Sequence, residues 1–344
     1  MRAPAFWWEE KPSAAALALW PAAAIYGNAA ARIMERPPTS VAPVPVICVG
    51  NFTVGGAGKT PTAIAIARLA LARGFHPGLL IRGYGGTEKG PLIVDRLRHN
   101  AAKVGDEALL LAAVTPTVVS EDRPAGAARL VAEGCDLVIM DDGFQNPSLA
   151  KDLSLLVVDA GVGFGNGLML PAGPLRAPVR SQIARASGLV IVGEGPHGDS
   201  AVRLAARAGK SAIRGKLGAL RPSIWRDRPV LAYAGIGRPR KFFATLAECD
   251  APVKEAVPFP DHHVYTIADA DYLLRKAEAG GLRLVTTGKD FARLKDAQGL
   301  MSTLREKSEP FEVVLDFDNA EQVVSLIEAA AARVLLRAGR GQRR

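Results

Sequence analysis

From residue 44 onward, short β-branched runs alternate with longer stretches whose apolar residues recur at helical spacing. The runs at 44–49, 79–81, 92–95, 117–119, 137–140, 153–158 and 189–192 predict strands. Stretches at 60–73, 106–114 and 125–133 predict helices between them. Such βα alternation implies an α/β architecture: a mainly parallel sheet with helices on both faces. After Arg221-Pro222 the pattern restarts. A strand at 230–234, helices near 241–248 and 267–279, and a strand at 282–286 predict a second, smaller α/β unit. A strand at 311–317 and a helix at 320–336 are expected to return to the first unit. The expected division is an N-terminal helical segment (1–40), a core (41–221), a smaller α/β domain (222–310), and a returning strand, helix and basic tail (311–344).

The N-terminal segment breaks this pattern. No charge falls between Lys11 and Arg32, and Trp7, Trp8, Trp20 and Tyr26 decorate the stretch. Its length suits a membrane span, but the abundance of Ala, together with Pro21 and Asn28, weakens its transfer into lipid. A basic region followed by a small-residue cleavage site is missing, which argues against a secretory signal. Three readings stay open: a helix packed on the domain, a helix lying in the bilayer interface, or a span. The clustered aromatics favour the interface.

Composition adds a bias towards anionic partners, because the 344-residue chain carries a formal net charge of +9. Nucleic acid is the weakest of these, since zinc spacing, an aromatic RNA-binding signature and basic repeats are all missing. The tail at 337–344 is rich in Arg and reads as a solvated end. Cys48, Cys135 and Cys249 are isolated from one another, with no disulfide framework or metal-ligand spacing, which agrees with a reducing compartment. No obligate protein partner is evident.

The chemistry concentrates first in Val49-Gly50-Asn51-Phe52-Thr53-Val54-Gly55-Gly56-Ala57-Gly58-Lys59-Thr60-Pro61. It follows a predicted strand and opens a predicted helix, the context that a phosphate-binding P-loop demands. Gly55, Gly56 and Gly58 let backbone N–H groups converge on phosphate oxygens, and the helix N-terminus adds its dipole. Thr53, Val54, Ala57 and Pro61 complete the expected nucleotide contact. Lys59 would bridge the β- and γ-phosphates, and the Thr60 hydroxyl would ligate magnesium. Thr53 stands where the first Gly of the usual motif falls.

Leu137-Val138-Ile139-Met140-Asp141-Asp142 is an apolar strand ending in two carboxylates. Beside a P-loop these suit magnesium, and adjacent carboxylates repel each other without a cation. Gln145 follows with an amide donor. Asp106, in Gly105-Asp106-Glu107, reads either as a helix N-cap or as the acceptor of a proton from a substrate hydroxyl. Phe259-Pro260-Asp261-His262-His263 reads either as surface loop or as a His that orients a carboxylate. Arg82-Gly83-Tyr84, Arg123 and the Pro171-to-Arg176 loop carry side chains suited to phosphate or sugar recognition.

Taken together, the P-loop, Arg82-Gly83-Tyr84-Gly85, Val104-Gly105-Asp106-Glu107, Asp141-Asp142-Gly143-Phe144-Gln145, Leu170-to-Arg176, Ala234-to-Gly237 and Phe259-to-His263 resemble the tetraacyldisaccharide 4′-kinase family of the lipid A pathway. The segments fall in order over most of the chain. The resemblance implies ATP and Mg2+ as cofactors. It also implies transfer of the γ-phosphoryl group to the 4′-hydroxyl of an acylated disaccharide 1-phosphate at the cytoplasmic face of the inner membrane. It casts Asp106 as proton acceptor with His262 paired to it, and Asp141 and Asp142 as magnesium ligands beside Thr60. Lys59 acts on the phosphates, and Tyr84, Glu107, Arg123, Gln145 and Arg176 lie on the substrate. The early Trp-rich helix fits a membrane-associated N-terminus.

Two departures stand out. Ala177 replaces a Glu common in the family, and Gly288 interrupts its usual Thr-Glu-Lys-Asp segment. The rival class is a P-loop GTPase or ATPase switch, or a metallochaperone. For the first, Thr287-Gly288-Lys289-Asp290 sets Lys directly beside Asp rather than two residues before it. A metallochaperone would want exposed Cys or His clusters.

Overall fold

The computed structural model describes residues 4–341; the last residues of the basic tail, 342–344, lie outside the described residues. Eight strands run from the P-loop strand onward: β1 (Val46–Asn51), β2 (Pro77–Ile81), β3 (Leu92–Ile93), β4 (Thr117–Val119), β5 (Leu137–Asp141), β6 (Leu153–Asp159), β7 (Gly188–Val192) and β8 (Ser211–Ala219). Five follow: β9 (Val230–Ala234), β10 (Val253–Pro258), β11 (Arg283–Thr287), β12 (Ser308–Phe311) and β13 (Val313–Phe317). Nine of them form one sheet in the order β13-β8-β7-β6-β1-β5-β2-β4-β3, and four form a second in the order β10-β9-β11-β12. The second sheet is parallel throughout. In the first, only the outer pairs β13–β8 and β3–β4 are antiparallel.

The alternation of side chains along β1 explains the two covered faces. Ile47 and Val49 join a cluster with Ile66 and Ala70 of helix Lys59–Ala72 and Val323 and Ile327 of helix Ala320–Gly341. Val46 and Cys48 face the other way, towards Leu130 of helix Arg123–Ala132 and Ala201 of helix Gly198–Arg207. β1 lies between β5 and β6, so the chain's crossovers diverge on either side of it. The carboxyl ends of β1, β5 and β6 therefore open the crevice where a ligand is expected in such a sheet.

The α/β class, the parallel sheet and the smaller α/β unit agree with the sequence pattern, and the differences are local. The single strand expected at 311–317 is two strands. β12 ends in the small sheet at Phe311, and after Glu312 the chain enters the large sheet as β13. β8 was not expected, because Gly215 and Gly218 dilute its apolar alternation. β10 was missed because Lys254 and Glu255 give it a polar, half-exposed face at a sheet edge. The helix expected at 106–114 stops at Leu111.

The N-terminal segment forms a short turn of helix at Ala5–Trp8 and a 22-residue helix, Ala14–Glu35, whose first turn is capped by the Ser13 side chain. By length and composition this helix is apolar enough to cross a membrane. Its small residues face inward: Ala16, Ala23 and Gly27 are buried, with Met34 at the far end. Its large ones face outward, with Ile25 73% exposed, Leu17 58% and Trp20 52%. The helix thus docks on the protein through small residues and presents its large apolar ones outward.

Candidate active site

The P-loop adopts the geometry its glycines allow. Gly58 has φ +99° and occupies the cap position of helix Lys59–Ala72, a conformation that a side chain would strain. Pro61 is tolerated because a first-turn N–H has no intrahelical acceptor in any case. Asn51 donates from Nδ2 to the Gly55 carbonyl at 3.3 Å, which braces the loop from the end of β1. Val54 N donates to Pro174 O at 2.9 Å, and Arg176 Nε to Thr53 O at 3.2 Å. The loop after β6 thus holds the P-loop from the side.

The two terminal aspartates of β5 are separated by their partners. Asp141 accepts a 2.8 Å hydrogen bond at Oδ2 from the Thr60 hydroxyl, while its Oδ1 is buried without a partner. Burial, aided by the charge of nearby Glu107, pushes its carboxyl up to about 7. A buried carboxylate oxygen lacking a donor and a neighbouring hydroxyl form a hard oxygen set that fits a divalent cation such as Mg2+. No cluster of three or more His, Cys, Asp or Glu suits a metal among the described residues, so further ligands would come from phosphate oxygens and water.

Asp142, with φ +57°, turns the other way. It receives Arg176 through both terminal nitrogens, at 2.7 and 2.9 Å, and Lys59 Nζ at 3.5 Å. Burial opposes its charge, but Lys59 and Arg176 outweigh that and hold its carboxyl below the usual range. The expected pair of metal carboxylates is therefore one oxygen set at Thr60 and Asp141 and one ion-paired carboxylate at Asp142.

A cleft of ≈1880 Å³ runs from the P-loop to the small sheet, with Tyr84, Asp106, Glu107 and His262 on its far wall. Gly105, not Asp106, takes the cap position of helix Asp106–Leu111, so the N-cap alternative for Asp106 is not adopted. The Asp106 side chain is buried. Its Oδ1 accepts the Glu107 N–H at 2.7 Å, and its Oδ2 accepts Nε of Arg293 at 2.7 Å as well as Nη2 of the same residue. His262 Nδ1 stands 3.9 Å from Asp106 Oδ2, too far for a hydrogen bond. The direct Asp106–His262 pair is thus replaced by one in which Arg293 lies between them.

The remaining candidates divide by exposure. Tyr84 is 70% exposed, with its ring 5.4 Å from that of His262. Glu107 is held by Lys289 at 2.5 Å; burial opposes its charge, and Lys289 keeps the carboxyl low all the same. Arg123 lines the same cleft and is largely buried, donating to the carbonyls of Ser120 and Asp142 at 3.0 Å each. Gln145 donates to Asn51 O and Gln182 Oε1, again as a brace.

Sequence reasoning passed over Arg293, Lys289 and Asn51. For Lys289 the signal was Thr287-Gly288-Lys289-Asp290 itself, which packs against the Asp106 helix. Lys289 meets Glu107, and Asp290 is buried against Arg293, Thr287 and the Gly235 amide.

This constellation can bind phosphates and a cation on one wall and orient a hydroxyl on the other. A family model described as "Tetraacyldisaccharide-1-P 4'-kinase" matches residues 15–331. The chain belongs to this family. A relative from Methylobacterium sp. (strain 4-46), named tetraacyldisaccharide 4′-kinase, is 53% identical over 302 residues, covering 87% of this chain and 91% of the relative. One of the same name from Sinorhizobium fredii (strain NBRC 101917 / NGR234) is 46% identical, covering 98% and 99%. A crystal structure of the LpxK protein of Aquifex aeolicus in complex with ATP superposes with a TM-score of 0.71 at 26% identity, covering 92% of this chain and 99% of that one. Membership of this family makes the chain a kinase. Of the two positions singled out in the sequence, Ala177 is fully buried, and a Cβ on Gly288 would come within 3.2 Å of Leu110.

Proposed function

We propose that the chain transfers the γ-phosphoryl group of ATP to the 4′-hydroxyl of tetraacyldisaccharide 1-phosphate, giving the 1,4′-bisphosphorylated lipid, at the cytoplasmic face of the inner membrane. The observation that carries this reading is the cleft itself, with a P-loop and the Thr60–Asp141 oxygen set facing Asp106 across it. In this reading residues 53–61 cradle the triphosphate, and Lys59 shifts from Asp142 towards the phosphates. Thr60 and Asp141 hold Mg2+, which supplies charge neutralisation to the phosphates when bound.

Asp106 orients the sugar hydroxyl and takes its proton as the new O–P bond forms and the bond to the leaving diphosphate breaks. Phosphoryl transfer through a loose transition state rests mainly on positioning and charge, so these parts are sufficient. Tyr84 and His262 line the acceptor side. Arg176, Arg123 and Gln145 line the same cleft as expected substrate contacts and also keep Asp142 and the P-loop in place.

The acceptor is a lipid, and the outward-facing Leu17, Trp20 and Ile25 support docking of helix Ala14–Glu35 in the bilayer interface. The basic surface adds attraction to anionic headgroups. Labelled ATP supplied with tetraacyldisaccharide 1-phosphate in mixed micelles is expected to yield a labelled bisphosphorylated lipid. ATP hydrolysis independent of the acceptor, with no labelled lipid, would overturn the reading in favour of a nucleotide switch.

A further inference from the structure

Arg293 lies on the helix Gly288–Arg293, which follows β11 of the small sheet, whereas Asp106 opens a helix that packs on the large one. The guanidinium has five N–H donors, and all five have acceptors. Nε and Nη2 donate to Asp106 Oδ2, Nη1 to Gly235 O at 2.7 Å and Asp290 Oδ1 at 2.8 Å, and Nη2 also to His262 Nδ1 at 3.4 Å. The arginine side chain is 11% exposed and that of Asp106 4%. Asp290 is itself fixed by Thr287 at 2.6 Å and by the Gly235 amide at 3.1 Å. The fork is therefore held rigidly by its own sheet while it grips a carboxylate that belongs to the other.

We infer that Arg293 is a positioning residue for phosphoryl transfer, fixing the Asp106 carboxylate as an aimed anion and setting His262 beside it. The inference rests on the kinase reading above. The planar fork fills Oδ2, and the Glu107 amide takes one lone pair of Oδ1, so the lone pair left on Oδ1 is the one free to receive the acceptor hydroxyl. Nη2 of Arg293 also reaches His262 Nδ1, which holds the ring beside the carboxylate. A lysine could supply the charge but not the planar set of donors that fills Oδ2 while also holding Gly235 O and Asp290, so the two residues are not interchangeable here.

The test compares Arg293→Met, Arg293→Lys and Asp106→Asn, singly and as the Met–Asn double variant, in the micelle assay with full-length protein. Arg293→Met is expected to lower kcat by about 100-fold while KM for ATP stays within about threefold, because the P-loop is untouched. Arg293→Lys is expected to recover about tenfold of that loss. Adding Arg293→Met to Asp106→Asn is expected to cost less than about threefold further, since the arginine acts through the carboxylate.

A full 100-fold loss in the Asp106→Asn background would overturn the inference and mark Arg293 as a general structural prop. Wild-type kcat in Arg293→Met would overturn it equally. If Arg293→Met fails to unfold cooperatively, Arg293→Lys decides: unchanged kcat overturns the inference, and a kcat loss at constant KM for ATP supports it. These outcomes all require that the wild type phosphorylates the lipid. Failure of the wild type would instead sink the kinase reading itself.

Discussion

Asp141 and Asp142 are neighbours in sequence, but the backbone turns between them and gives them different partners. Asp141 keeps one oxygen on Thr60 and one free, whereas both oxygens of Asp142 are taken by Arg176. Only the first is a good candidate for direct contact with a cation. Asp141→Asn is expected to raise the Mg2+ concentration for half-maximal activity by at least about tenfold and to lower kcat by about 100-fold or more, in line with loss of an oriented charge in a dry site. Asp142→Asn should leave the Mg2+ midpoint within about threefold and act instead on KM for ATP, because it frees Arg176 and Lys59 beside the P-loop. Titrating Mg2+ at saturating ATP separates the two. A shifted midpoint in the Asp142 variant alone would reverse the assignment.

At the scale of elements, the helix Ala14–Glu35 shows how small residues fix a docked position. A Cβ on Gly27 would fall 2.0 Å from Met169 Sδ, in the loop that continues to Arg176. The preceding turn is tied to the same loop, since Trp7 Nε1 donates to Pro171 O at 3.0 Å and Asn166 N to Trp7 O at 2.8 Å. Gly27→Leu is therefore expected to cost about 1–3 kcal/mol by overpacking, read as a lowered urea midpoint, without removing any outward apolar side chain. Trp20→Ser with Ile25→Ser should do the opposite. It leaves the midpoint within about 0.5 kcal/mol but reduces sedimentation with vesicles of phosphatidylethanolamine and phosphatidylglycerol by about tenfold. Undiminished sedimentation of that double variant would refute interfacial docking by this face.

The elements that could be read from the chain were those whose signal is local. β1, the glycines and Lys59-Thr60 declare themselves within fifteen residues, and Leu137-to-Asp142 does the same. What escaped depends on distant partners. Arg293 meets Asp106 across 187 positions, and nothing in its neighbourhood distinguishes it from a surface arginine. β13 pairs only with β8, far back along the chain, and the glycines of β8 blur its period of two. The inward face of helix Ala14–Glu35, set by Ala16, Ala23 and Gly27, was likewise hidden in an Ala-rich stretch without periodic contrast.

For the whole molecule, one contact that joins the two sheets away from the Asp106 wall is centred on Asp159. Asp159 ends β6 of the large sheet, and its Oδ2 accepts both Arg238 Nη1 and Lys241 Nζ at 2.8 Å; Lys241 lies on helix Pro239–Ala247 of the small unit, and Arg238 precedes it. Trp8 of the N-terminal turn lies over the Arg238 guanidinium at 4.9 Å, so three parts of the chain converge on one carboxylate. Asp159 is nearly buried, Arg238 about a quarter exposed and Lys241 more than a third. Removing one partner of a buried pair costs about 3–5 kcal/mol. With one cation partly in water, Asp159→Asn is expected to cost about 1–3 kcal/mol instead. Because the contact spans the two sheets, the loss should fall on their association: tryptic cleavage near 220–229 should accelerate in Asp159→Asn relative to wild type, with the P-loop sheet still protected. Uniform acceleration across both sheets would show instead that Asp159 supports the large sheet alone. Lys241→Met, which removes the more exposed partner, should reproduce less than half of the effect, while Trp8→Ala should weaken vesicle binding and the junction together.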